Sequence, residues 1–269
     1  MTHGIETMVD GKSVHTLTAG AATAGRDVVF VHGAGVDGSV WDAQVEAVAA
    51  AGLRPLAVDL PGHGRSEGPG LHGIDALAEW LPGYMDSLGA AKAHLVGHSI
   101  GALVVLEVGG VTPERAASLS LLGIAASMAV NPVLLDGAER NDPGTLGQMS
   151  RWMHAREPEP DDWSPADTFA AMDRADPGVV FGDLSACDNY GDATVAAVDV
   201  EAPTLLLLGG QDVMARPSAA APIADAIPGS RTHVVHGAGH MLMVERPDDV
   251  NEALIEFLTE VSQESRSGG

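Results

Sequence analysis

The sequence predicts an α/β protein: a mostly parallel, doubly wound sheet of eight strands with a helical cap inserted late in the chain. Three observations predict it. Short runs of Val, Leu and Ala alternate with longer stretches of helical period. The strand-like runs are apolar throughout, as in strands covered on both faces. The alternation stops between about residues 126 and 195 and resumes after residue 200.

The first element is a hairpin, "IETMVDGKSVHTLTAG", in which two alternating runs flank the Asp10-Gly11 turn. "DVVFVHG" then reads as a buried strand and "SVWDAQVEAVAAAG" as a helix closed by Gly52. "RPLAVDLPG" and "IDALAEWLPGYMDSLGA" repeat the strand-helix pair, as do "AHLVGHS" and "IGALVVLEVGG", and "AASLSLLGI" is the sixth strand. Beyond residue 200, "PTLLLLGG", "SAAAPIADAI" and "RTHVVHG" continue the pattern, and "RPDDVNEALIEFLTEV" closes it as a helix. In that helix Pro247 occupies a first turn that tolerates it, and Asp248 and Asp249 favour the positive end of the dipole. The core is therefore expected over 1–125 and 196–269. Residues 126–195 form the cap, where "TLGQMSRWMHA" and "SPADTFAAMDRA" are helical and Pro, Asp and Glu cluster in "REPEPDDW". There is no solenoid-type repeat, although "HGAG" occurs at 32–35 and again at 236–239.

Composition limits the partners. Thirty-seven acidic residues against 14 basic ones give a formal net charge of -23, a surface that repels nucleic acid and anionic membrane. Cys187 is the single cysteine, so no intrachain disulfide or cysteine-based metal cluster is expected. The N-terminus lacks a charged-then-apolar signal layout, and stretches such as "LSLLGIAASMAV" are too short to span a bilayer. These features lead us to expect a soluble, cytoplasmic monomer or homodimer acting on a small molecule.

Two stretches fit G-x-S-x-G, the pattern of a serine held on a strand-to-helix turn: "GRSEG" at 64–68 and "GHSIG" at 97–101. With 33 Gly in 269 residues the string alone decides nothing, so context must. Ser66 lies in a Gly/Pro-rich loop with no strand leading in and no helix leading out, and is expected to be a turn residue. Ser99 lies where "AHLV" ends and the nearly all-apolar "IGALVVLEV" begins, at the C-terminal edge of a central strand, where open α/β sheets bind ligands.

A serine hydroxyl needs a general base, and the base needs an orienting acid. Asp212 follows the strand "PTLLLLGG" and His240 follows the strand "RTHVVHG", so three complementary groups stand at three strand tips. Backbone N–H groups for an oxyanion are expected from Ile100, just after the serine, and from Ala34 in the loop after "VVFVHG", with Gly35 as second choice.

At this point the chain resembles the α/β-hydrolase fold family, since "HGAG", "DLPGHGRS", "GHSIG", "GGQD" and "GAGHMLMVERP" occur in family order over nearly its whole length. The resemblance implies Ser99 as nucleophile, His240 as base and Asp212 as acid, with no metal or organic cofactor. Dehalogenases and epoxide hydrolases in the family carry Asp at the nucleophile position, against which Ser99 argues. Some members place the acid after the sixth strand, where "LLGIAASMAV" offers no carboxylate.

Other features have blander readings. His233, His236 and His240 mimic a metal pattern, but residues three apart on a strand face opposite ways. His32 is expected to pack and Asp59 to brace a loop. Gly35, His98, Trp152, Trp163 and Met241 are candidate pocket residues, and Phe169 and Met172 could join them from the cap. The expected function is a serine esterase working through an acyl-enzyme. The alternatives are a lactonase, a C–C bond hydrolase or a cofactor-free perhydrolase on the same residues, or a slow-turnover ligand-binding receptor.

Overall fold

A computed structural model describes residues 1–20, 27–156 and 163–267. The hairpin is β1 (Thr2–Val9) and β2 (Lys12–Ala19), and Val9 pairs with Lys12. Asp10 (φ 50°) and Gly11 (φ 78°) are left to turn the chain, the pair of positive φ values that a two-residue hairpin loop favours.

Next come β3 (Asp27–Val31), α1 (Asp42–Ala50), β4 (Arg54–Val58), α2 (Ile74–Ser87), β5 (Ala93–His98), α3 (Ile100–Val111) and β6 (Ala116–Leu122). A 3-10 turn, Gly38–Trp41, takes the first residues expected of the helix around α1, because Asp37 caps it by accepting from Ser39 N–H at 3.0 Å.

Five helices follow without a strand: α4 (Pro132–Glu139), α5 (Pro143–Trp152), α6 (Pro165–Arg174), α7 (Val179–Asn189) and α8 (Thr194–Ala197). Asn131, Asp142 and Ser164 each cap a helix whose first residue is Pro, a start signal written in the sequence. Residues 157–162 of the expected Pro-and-acid cluster lie outside the described residues. Ala126 ties the ends of this insertion together, donating its N–H to Ala219 O (2.9 Å) and accepting from Ala193 N–H (2.8 Å).

The chain ends with β7 (Thr204–Gly209), α9 (Ala221–Ala226), β8 (Arg231–Val235), α10 (Leu242–Glu245) and α11 (Pro247–Ser267). The helix expected over "SAAAPIADAI" is shortened to α9, because Pro217 starts a separate 3-10 turn ahead of it.

The eight strands form one sheet in the order β1-β2-β4-β3-β5-β6-β7-β8, in which β2 alone runs against the rest. β3 connects to β4 on one side and β5 returns to its other side, so the strand order reverses at the β3–β5 edge. Crevices open at the carboxyl ends of strands at such a point. α3 passes beneath it, buried on nearly every side as its apolar composition predicts. No helix among the described residues is long and apolar enough to cross a membrane.

Candidate active site

Ser99 sits between β5 and α3 at φ 55°, ψ −118°, one of three described non-glycine residues with positive φ. The flanking glycines make that bend possible. A Cβ on Gly97 would collide with the carbonyl of Gly101, and one on Gly101 with the carbonyls of Val31 and His32. Ser99 N–H reaches across to Leu122 O at 2.9 Å, so β6 fixes the bend from the other side.

Asp212 and His240 meet because the loops carrying them are laced together. Gly210 N–H donates to Val235 O at 2.9 Å and Gln211 N–H to Ala238 O at 2.7 Å. Gly209 lies so close to the Gly239 carbonyl that no side chain fits there. His240 Nδ1 then lies 2.7 Å from Asp212 Oδ2. A carboxylate only accepts, so Nδ1 carries the proton and Nε2 is left basic. The other carboxylate oxygen, Oδ1, accepts from Met214 and Ala215 N–H, both at 2.8 Å. Burial opposes ionisation of Asp212, but His240 and these two N–H groups outweigh it and hold the carboxyl below its usual range.

His98 lies behind His240, with ring centroids 4.7 Å apart. Its Nε2 is 2.9 Å from the His240 carbonyl and must donate to it. Burial, then the neighbouring His240, pushes the His98 pKa well down, so a neutral ring steadies the His240 backbone. Glu245 does the same from the far side. Its two oxygens accept from Gly239 N–H (3.1 Å) and from Ala155 N–H (2.8 Å) in the cap segment, and burial raises its pKa. Glu245 was not singled out from the sequence, although it stands in "GAGHMLMVERP", five residues past His240.

Ser99 and His240 open on a cavity of about 340 Å³. Ala34 lines it, and Ile100 N–H begins α3, where the first turn has no intrahelical acceptor. The helical segment between β6 and β7 supplies the remaining walls: Ser127 to Asn131, Leu134, Met149, Trp152, Met153, Leu184 and Cys187, with Val213 and Met214 from the Asp212 loop. Among the described residues His240 and Cys187 are the ionisable groups in this lining, and burial pushes the Cys187 thiol up to about 12, so it stays neutral.

Of the pocket residues expected from sequence, Trp152 lines the cavity and the others do not. Gly35 lies under Val180 and Met172, and its N–H is donated to Asp183 at 2.8 Å. That commitment also removes it as an oxyanion donor. His98 is hidden behind His240, Trp163 donates Nε1–H to Thr168 within the cap, and Met241 is buried with its N–H on Met153 O. Four methionines, Met128, Met149, Met153 and Met214, were missed as walls because nothing periodic marks them.

The remaining expectations concern braces. Ser66 Oγ donates to Asp59 O at 2.7 Å and accepts from His15 N–H at 2.9 Å. Asp59 accepts from Gly38 N–H (2.7 Å), Arg65 N–H (2.9 Å) and His15 Nδ1 (3.0 Å). His233 and His236 are exposed while His240 is spent on Asp212, and among the described residues no His, Cys, Asp and Glu side chains group to hold a metal. A larger concavity, about 890 Å³ between α2–α3 and α7–α8, has an acidic lining and none of Ser99, Asp212 or His240.

A family model described as "Alpha/beta hydrolase family" matches residues 28–253. The chain belongs to the alpha/beta hydrolase family. The chain is 32% identical over 255 residues to the dihydrolipoyllysine-residue acetyltransferase component of the acetoin cleaving system of Pseudomonas putida, covering 87% of this chain and spanning 64% of that relative's length. It is 28% identical over 251 residues to the putative non-heme bromoperoxidase BpoC of Mycobacterium tuberculosis, with 88% and 95% of the two chains covered. Among solved structures, it is similar to that of a thermophilic esterase, with a TM-score of 0.84 and 28% identity over 97% of this chain and 99% of the other.

Proposed function

We propose that this α/β hydrolase cleaves uncharged carboxylic esters with an apolar acyl group, through an acyl-enzyme on Ser99. The observation that carries the reading is that Ser99 and the Asp212-paired His240 open on one cavity whose other walls are apolar or neutral. In the first step His240 Nε2 takes the Ser99 proton as Oγ attacks the carbonyl. Asp212 steadies the imidazolium that forms. The N–H groups of Ala34 and Ile100 hold the oxyanion, the alcohol leaves with the proton from His240, and water then attacks the acyl-enzyme with His240 again as base.

The lining also bears on the alternatives. A substrate carrying a carboxylate would bury its charge against methionine and leucine, with no lysine or arginine among the described residues of the walls to pair it. That favours neutral esters and lactones over charged C–C cleavage substrates.

The test is turnover of p-nitrophenyl esters of graded chain length by the wild type and by Ser99→Ala, alongside labelling by a fluorophosphonate. Hydrolysis and labelling that both vanish in the variant are expected. Unchanged turnover in Ser99→Ala overturns the reading. A rise in melting temperature with a bound ester, without turnover across the panel, identifies a receptor instead.

A further inference from the structure

The loop after β3 carries Ala34, and what holds that loop comes partly from the cap. Asp183 on α7 is buried, and its Oδ2 accepts from two donors: Gly35 N–H at 2.8 Å and His63 Nε2 at 2.8 Å. The opposite nitrogen of His63, Nδ1, lies 3.1 Å from Pro61 O. Both ring nitrogens thus face acceptors, so His63 is an imidazolium and the contact with Asp183 is a buried ion pair. Gly35 itself has φ 68°, with Val180 of α7 and Met172 of α6 directly over its α carbon.

The same loop is pinned by core groups at its other end. His32 donates Nδ1–H to Gly33 O at 2.9 Å and accepts Leu60 N–H on Nε2 at 3.0 Å. Gly33 rests on His98, whose Nδ1 would lie 2.6 Å from a Cβ added there. Ala34 is therefore suspended between a core anchor on one side and a cap anchor on the other. His32 holds the Gly33–Ala34 peptide, which carries Ala34 N–H, and Asp183 fixes the next peptide, Ala34–Gly35, so the two anchors together set the backbone on both sides of Ala34.

We propose that Asp183 is a positioning residue for the oxyanion site: a carboxyl group from the segment after β6, paired with His63, that fixes the peptide following Ala34 and so keeps Ala34 N–H facing the cavity. The proposal rests on the assignment of Ser99 as nucleophile. It gives the cap two tasks, shaping the acyl pocket and completing the machinery beneath it. The arrangement also accounts for the sequence signals "HGAG" and "DLPGHGRS" in one chain: they place Gly35 and His63 on two core loops that meet at a single cap carboxylate.

The experiment compares Asp183→Ala, Asp183→Asn and the double variant His63→Leu/Asp183→Leu with the wild type. The double variant leaves no buried charge without a partner, so it keeps the question open to measurement if Asp183→Ala does not fold. Each is assayed for kcat and KM on a short p-nitrophenyl ester, normalised to active sites by fluorophosphonate titration. Each is also assayed for inhibition by a trifluoromethyl ketone, whose tetrahedral adduct needs the oxyanion donors. Asp183→Ala and the double variant are expected to lose about 10- to 100-fold in kcat, the scale of an impaired oxyanion donor. KM should stay within about threefold, and inhibition should weaken by the same factor as kcat. Asp183→Asn keeps an oxygen for Gly35 N–H and should recover most of the loss. Wild-type kcat and inhibition in folded Asp183→Ala or in the double variant, or a kcat loss with unchanged inhibition, overturns the proposal. Turnover that survives Ser99→Ala overturns the underlying assignment instead.

Discussion

Asp212 Oδ2 and His240 Nδ1 are 2.7 Å apart, and neither side chain reaches solvent. The carboxylate therefore selects one tautomer of the ring, the one with a basic Nε2. Asp212→Asn presents either an amide N–H or a neutral oxygen there and removes that selection. We expect kcat to fall roughly 10³- to 10⁴-fold with the melting temperature nearly kept. Steady-state kinetics on the best ester checks it, and a loss below about tenfold contradicts the role given to Asp212.

Gly97 has no room for a side chain, because an added methyl group would meet the Gly101 carbonyl and the backbone of Ala102. Gly97→Ala should lower stability by about 2–3 kcal/mol through forced backbone movement, and activity with it. Urea unfolding measures the first; an unchanged midpoint would mean that the bend around Ser99 is looser than described.

Met149 is a buried wall of the cavity. Met149→Ala should cost about 2–4 kcal/mol, as large-to-small changes in packed sites do, and lengthen the available acyl space. The chain-length profile on p-nitrophenyl esters should move toward longer acyl groups. A profile that stays fixed would place the acyl chain elsewhere.

Buried histidines give the stability a direction with pH. Burial is the largest cause that lowers His32, His94 and His154 to about 4, and it pushes His98 well down. In the unfolded chain they titrate near 6.5, so between pH 6.5 and 4 the unfolded state binds more protons and stability falls as pH falls. His63 works the other way. Its pKa is raised, because the Asp183 pair outweighs burial, so its contribution is complete below 6.5 and is lost as pH rises through the folded value. Urea midpoints should therefore drop between pH 6.5 and 4. His94→Gln should flatten that slope by up to about 1.4 kcal/mol per pH unit, one proton's worth. An unaltered slope would refute the burial of a neutral ring at position 94.

Much of the fold could be read in advance because its signals are local. Runs of Val or Leu marked β3 and β7, and the two glycines around Ser99 marked a close backbone approach that the neighbouring carbonyls enforce. Ser99, Asp212 and His240 were legible because each follows a strand, and strand tips of a parallel sheet share one edge. The cavity walls were not. Met128, Met149, Met153 and Met214 come from three separate segments, and cap helices meet through side-chain shape, which leaves no period to count. The Asp183–His63 contact joins residues 120 positions apart, and nothing at either end announces the other. Gly35 and Met241 show a related effect: both adjoin a motif in sequence, yet the Gly35 N–H is turned to Asp183 and the Met241 N–H to Met153 O rather than to the cavity.

The φ of 55° and ψ of −118° at Ser99 suit glycine better than serine, at a difference on the order of 1–3 kcal/mol. Every copy of the chain thus folds against a small local preference in order to keep one hydroxyl where it stands. Position 99 is a point at which robustness and reactivity pull in opposite directions. The residue best suited to that backbone has no side chain, so under the proposed function the serine hydroxyl is kept at a cost in folding stability.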